Sequence, residues 1–174
     1  MPTNISNVTT GPAQFLIGGA SAGNEIGHLQ GGATVSISPQ NRVQNVDQYG
    51  SSATNVVHTG DDVKFTAPMA EWSVSVLEQM YDPGLDNLSG TSGNRYLGVG
   101  RSAGYFYQAQ EAHIIPRVTS FTEKRCTFYR ATPIGEISLT FNTDDDRVFS
   151  PEFQCMVDPD NQSDGNLIMR LDVD

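Results

Sequence analysis

The sequence predicts a mainly β fold: a β-sandwich or β-barrel with one flanking α-helix and a long projecting loop. Three observations predict it. Short runs alternate apolar and polar residues, as in Thr34-Val35-Ser36-Ile37-Ser38, Asp62-Val63-Lys64-Phe65-Thr66 and Arg125 to Ala131. A period of two belongs to strands with one buried face. A single stretch, Pro68 to Tyr81, spaces its apolar residues by three and four. Charged residues make up only 17% of the chain, and Gly, Ser, Thr, Asn and Gln are abundant, a composition that favours turn-rich β structure.

The elements follow in order. Residues 1–12 are polar, end on Gly11-Pro12, and are expected to form a flexible arm. Residues 13–174 are expected to form one β-sandwich domain, since 174 residues suit a single domain with or without arms. Ala13 to Gly19 is a compact apolar run and a first strand. Thr34 to Ser38 is a second, followed by a turn and an extended run to Gly50. A further run passes through Val56-Val57, and another strand covers Asp62 to Thr66.

A helix is expected over residues 68–81. Pro68 suits a first turn, where its missing N–H is not needed, and Glu71 complements the dipole. Met69, Trp72, Val76, Leu77 and Met80 form the apolar stripe, which puts Trp72 in the core, and Asp82-Pro83-Gly84 stops the helix. Residues 84–104 hold six glycines among Ser and Asn. A loop of that length in a compact domain is usually functional, and it is expected to project and make contacts. It supplies the candidate inter-subunit contacts Leu85, Asn94, Arg95, Tyr96 and Arg101.

Strands return in the second half. His113 to Pro116 is expected at a sheet edge or a strand end, because Pro116 cannot donate to a ladder. Gly135 to Phe141 places Ile137, Leu139 and Phe141 on one face. Val148 to Val157 is a strand region interrupted by Pro151, and Leu167-Ile168-Met169 begins the last strand. Eight to ten short strands with one helix and no βαβ alternation make a sandwich or barrel.

Composition narrows the function classes. The net charge is −10. An acidic surface repels phosphates, and the ten basic residues form no stripe with interleaved aromatics, so a sequence reader of DNA is disfavoured. Cys126 and Cys155 sit in alternating runs and read as reduced core thiols. No segment approaches the length of a transmembrane helix, and residues 1–6 lack the basic and apolar regions of a signal peptide. Synthesis in a cytoplasm, without membrane insertion, is the expectation.

Motifs of chemistry are weak. Gly100-Arg101-Ser102-Ala103-Gly104 matches a nucleophile elbow in form, but a glycine-rich loop precedes it and the only later histidine is His113. Gly18 to Gly23 and Gly98-Val99-Gly100 open no helix and read as turns. Asp160, Gln162, Asp164 and Gly165 follow a calcium-loop spacing, yet Leu171 stands where a bidentate Glu is required. His28, His58 and His113 have no partners at metal-ligand spacing and are expected at the surface or in loops. The sequence assigns no catalytic residue, metal or cofactor.

Three stretches together resemble a known family. They are Gly31 to Ser36 leading to Val46-Asp47-Gln48-Tyr49-Gly50; Thr59 to Phe65 running into Met69-Ala70-Glu71-Trp72; and Ala131 to Glu136, then Asp146-Arg147-Val148-Phe149, then Gly165-Asn166-Leu167. This order resembles the major tail tube protein of tailed bacteriophages, over most of residues 30–172. The resemblance implies a non-enzymatic virion protein whose hexameric rings stack into a hollow tube that delivers phage double-stranded DNA. It implies partners in the tape measure protein, the tail terminator and the tail-tip proteins, with assembly in the host bacterial cytoplasm. Another virion protein, such as a terminator, neck or decoration protein, is the nearest alternative. A carbohydrate-binding sandwich using Tyr105, Phe106 and Tyr107 is a more distant one.

Overall fold

A computed structural model describes residues 12–20, 25–26, 29–70, 73–81, 88–89, 96–117, 125–138, 148–160 and 168–172. The expected arm and Trp72 lie outside the described residues. The described residues form nine strands and one α-helix: β1 (Ala13–Ile17), β2 (Thr34–Asn45), β3 (Ala53–Thr66), α1 (Val74–Tyr81), β4 (Leu88–Ser89), β5 (Tyr96–Leu97), β6 (Gln110–Pro116), β7 (Cys126–Pro133), β8 (Glu152–Cys155) and β9 (Met169–Leu171). The mainly β prediction is correct.

Seven strands form one antiparallel sheet in the order β1-β6-β7-β8-β3-β2, and β9 joins it beside β7. β7 serves two neighbours on one side: Cys126 to Phe128 pair with β9 and Ala131 to Pro133 with β8. β1 and β3 are separated by three strands. In a flat sheet four strand spacings would part them by roughly 19 Å. Yet the rings of Phe15 on β1 and Phe65 on β3 meet with centroids 5.5 Å apart. Even with both side chains reaching inward, that contact requires the sheet to curl onto itself.

The alternating residues fill the space inside the curl. Phe65 stacks on Phe153 at 4.7 Å and on Phe128 at 4.4 Å, and Phe15 meets Phe153 edge-on at 5.5 Å. Met69, Met80 and Ile26 complete the same cluster. The opposite face over β3 and β8 is polar: Lys64 pairs with Glu152 at 3.4 Å, and Gln154 donates to Asp62 at 2.7 Å.

Four sequence expectations need correction. The helix begins at Val74, not Pro68. Residues 67–69 are extended, because Met69 exchanges two backbone hydrogen bonds with Phe149 and Pro68 accepts one from Gln30. Ser73 then caps the helix: its Oγ accepts from the Val76 N–H at 3.2 Å and its carbonyl from Leu77 at 3.0 Å. Met69 is buried as expected, but in a bridge rather than on the helix. Leu77 and Met80 do face inward.

His113 is not at the surface or in a loop. It lies in β6, an interior strand between β1 and β7, with Pro116 at that strand's end. Residues 134–138 are not a strand. They cross β8 instead, with Ile134 and Gly135 both donating to the Glu152 carbonyl. A Cβ on Gly135 would sit 2.8 Å from the Glu152 Cβ, so the crossing needs glycine. Leu139 and Phe141 lie outside the described residues.

Finally, the short strands expected on either side of Asp47 are two long ones. β2 runs for twelve residues and β3 for fourteen, paired from Thr34↔Thr66 out to Asn45↔Ala53.

Candidate assembly surface

The long pair β2–β3 is supported by the sheet only at its base. β8 pairs with β3 from Val63 to Thr66 and no further. Beyond Asp62 the two strands continue as a ribbon, almost every residue of it exposed. The eight β2 residues from Ser38 to Asn45 that lie beyond this base reach roughly 26 Å. A 3₁₀ turn over Asp47–Tyr49 closes its tip, where Gly50 takes a left-handed φ of 65° and donates to the Asp47 carbonyl at 3.2 Å.

Two bulges set the ribbon's faces. Thr59 and Thr54 are the extra residues in β3, and each turns its hydroxyl back onto β2. Thr59 Oγ1 donates to the Gln40 carbonyl and Thr54 Oγ1 to the Gln44 carbonyl, both at 2.9 Å. A bulge shifts the side-chain phase by one residue. The bulge at Thr59 therefore places Val56, rather than Val57, opposite Val43. The row that begins with the core pairs Val35↔Phe65 and Ile37↔Val63 then continues outward through Pro39 to Val43↔Val56. Ile37 is 50% exposed, Val43 56% and Val56 57%. The core-facing side of the sheet thus extends onto the ribbon with nothing covering it among the described residues.

Among the described residues, no strand pairs with the outer edge of β2. Natural edge strands are usually blunted by charge, proline or cover. β2 has one charged residue, Arg42, and one proline, Pro39. Between Thr34 and Gly60 the only Asp, Glu, Lys or Arg residues are Arg42 and Asp47, in a chain of net charge −10.

A second surface lies beyond the C-terminal half of α1. Leu77, Met80 and Tyr81 of the helix, Leu97 of β5, and Ile134 and Ile137 after β7 line an apolar groove of about 620 Å³. No charged residue lines it among the described residues. Val99 and Ile134 stand exposed at its mouth.

The sequence-predicted contact residues divide. Leu85, Asn94 and Arg95 lie outside the described residues. Tyr96 is in β5 and exposed, 62%. Arg101 is half-buried against the body, its guanidinium 5.4 Å from the ring centroids of both Tyr81 and Tyr105. The described part of loop 84–104 packs down: β4 and β5 form a small hairpin against α1, and the Gly100 N–H donates to the Tyr81 hydroxyl at 3.0 Å. The long unsupported projection is the ribbon.

Other candidate chemistry resolves into structure. Ser102 sits in an exposed turn, its carbonyl accepting from Tyr105, and no helix follows it. Asp158 accepts from the Asp160 N–H in a local turn, while residues 161–167 of the calcium-like spacing lie outside the described residues. Among the described residues no three His, Cys, Asp or Glu side chains converge. Cys155 is buried and its thiol is pushed up to about 12, mainly by burial and then by Asp62, so it stays protonated. Cys126 is half-buried and is raised by burial and by Asp172. No described helix is long and apolar enough to cross a membrane.

Sequence reasoning missed the ribbon and the groove. The ribbon's signal was present: Val35, Ile37, Pro39, Asn41 and Val43 keep one phase with no glycine between them. The groove had no comparable signal, because its lining comes from segments far apart in the chain.

Comparison with known proteins bears on this architecture. A chain of the extended-state sheath–tube complex of PVC, an extracellular contractile injection system, matches with a TM-score of 0.50 and 11% identity, over 98% of this chain and 99% of its own. The likeness is one of fold. A crystal structure of Hcp protein matches more weakly, with a TM-score of 0.31 and 16% identity over 83% of this chain and 88% of that one. No family model and no curated protein sequence matches this chain.

Proposed function

We propose that this protein is a structural subunit that assembles with copies of itself into stacked hexameric rings, forming the hollow tail tube of a bacteriophage. The observation that carries this reading is the β2–β3 ribbon. It is a long, nearly uncharged edge with an exposed apolar row, the kind of surface that natural proteins cover, and a second copy of the chain can cover it. Pairing such edges between copies into a closed ring removes them. The fold likeness to a chain of a sheath–tube complex supports the same reading, as do the three sequence stretches that resemble tail tube proteins.

In this reading the chain has no catalytic site, and double-stranded DNA passes through the lumen without specific binding. The net charge of −10 suits that role, since an acidic wall does not hold phosphates. Tyr96 and Arg101, with Leu85, Asn94 and Arg95, remain proposed contacts between subunits. The tape measure, terminator and tail-tip proteins are the proposed neighbours, with assembly in the host cytoplasm and residence in the virion tail.

Negative-stain microscopy of the purified chain tests the proposal. Hollow rings or tubes of one diameter are expected. A field of isolated small particles at high concentration overturns it. One exposed aromatic, Phe106 at 89%, speaks for the carbohydrate-binding alternative. That reading requires glycan-array binding that Phe106→Ala removes.

A further inference from the structure

We infer that the ribbon of one copy seats its Val43–Val56 pair in the apolar groove between α1 and the Ile134–Ile137 segment of the next copy. This rests on the self-assembly reading above and names the surfaces it uses.

Three observations carry it. The ribbon offers an exposed apolar row: Ile37, Pro39, Val43 and Val56 on one face, the last two directly opposed. The groove offers a concave apolar wall of about 620 Å³ with Leu77, Met80, Leu97 and Ile134 in it, in the size range that protein pockets use to take up apolar groups. Among the described residues nothing covers the ribbon's row or the groove's mouth, while Leu77 and Met80 form the groove's buried floor. The ribbon residues from Ser36 to Asn45 are all exposed, and the groove is open at Val99 and Ile134.

Charge selects the same pair. Two chains of net charge −10 repel over most of their surfaces. Along β2 the ribbon carries Arg42 and no carboxylate, and the groove lining is uncharged among the described residues. This is a route by which two acidic copies touch without opposing like charges.

The pairing also has a geometric consequence. Protrusion and groove are different patches of one molecule, so the contact is head-to-tail. Such a contact does not end in a dimer; it propagates into a ring or a filament.

The test uses two proteins with one accessible cysteine each in a Cys126→Ser background, where the remaining native thiol, Cys155, is buried. One carries Val43→Cys, the other Ile134→Cys. They are mixed, allowed to assemble and oxidised. A disulfide-linked dimer is expected in the mixture and not in either protein alone. Val43→Asp should abolish the multimer, whereas Val157→Asp, an exposed position outside both surfaces, should leave it intact.

If wild-type protein forms rings but the mixture gives no linked dimer and Val43→Asp still assembles, the ribbon-to-groove contact is overturned and self-assembly stands. If wild type stays monomeric under the same conditions, both fall.

Discussion

Val43 and Val56 face each other across the β2–β3 ladder, and both are more than half exposed. Cross-strand valines are ordinarily a device for packing a sheet against a core. Here they lie well beyond the last strand that supports β3, so the fold itself gains little from them. Val43→Asp and Val56→Lys should therefore change the folding stability of the monomer by no more than about 0.5 kcal/mol. Urea unfolding of a monomeric preparation checks this. A loss of several kcal/mol would show that the ribbon packs on its own body.

Phe65 is the hub of the interior. It stacks on both Phe128 and Phe153 and touches Phe15 edge-on, linking β1, β3, β7 and β8. Phe65→Ala is expected to cost about 3–5 kcal/mol through the cavity it leaves. A denaturant midpoint near that of wild type would contradict the curled-sheet arrangement.

Gly135 is a packing requirement rather than a turn requirement. Gly135→Ala places a methyl 2.8 Å from the Glu152 Cβ and pushes the 134–138 crossing off β8. Overpacking of that kind costs about 1–3 kcal/mol. Thermal unfolding of the variant reads it directly, and an unchanged melting temperature would mean the crossing yields without cost.

His113 sets a pH dependence. It is 3% exposed, with Nδ1 3.2 Å from Thr127 Oγ1 and Leu16 beside it on β1. Glu111 Oε1 lies 3.3 Å from Nε2, close enough for an ion pair but not aligned for a hydrogen bond. Burial lowers the imidazole's pKa, Glu111 partly offsets this, and Arg125 lowers it further. The folded chain therefore binds this proton less readily than the unfolded chain does. Stability from this group is complete above its ordinary value of 6.5 and declines as pH falls below it. His113→Gln should flatten that acid decline in urea midpoints measured from pH 7.5 down to 5.5. An equal decline in the variant would assign it to the carboxylates instead.

Most of the fold was legible in the sequence because period-two alternation is a local signal. Phe65, Phe153, Phe128 and Cys155 all fall where their alternation places them. The helix start was misread because Met69 continues the helical spacing while its backbone is taken by Phe149, eighty residues away in the chain. That competition is tertiary and leaves no local trace. His113 was misread for a similar reason: its burial is decided by Leu16 and Thr127 on neighbouring strands. The assembly surface was half legible. Alternation placed Val35 and Ile37, but the bulge at Thr59 decides that Val56 rather than Val57 joins their row, and bulge position depends on register. The groove draws on α1, β5 and the segment after β7, and no short pattern reports such a meeting.

Self-association of the intact chain is the central claim, and sedimentation velocity of the purified protein over a concentration series tests it most directly. Multi-subunit species of defined size that grow with concentration, and that Val43→Asp removes, are the predicted result. A single 18.8 kDa species at every concentration would contradict the account.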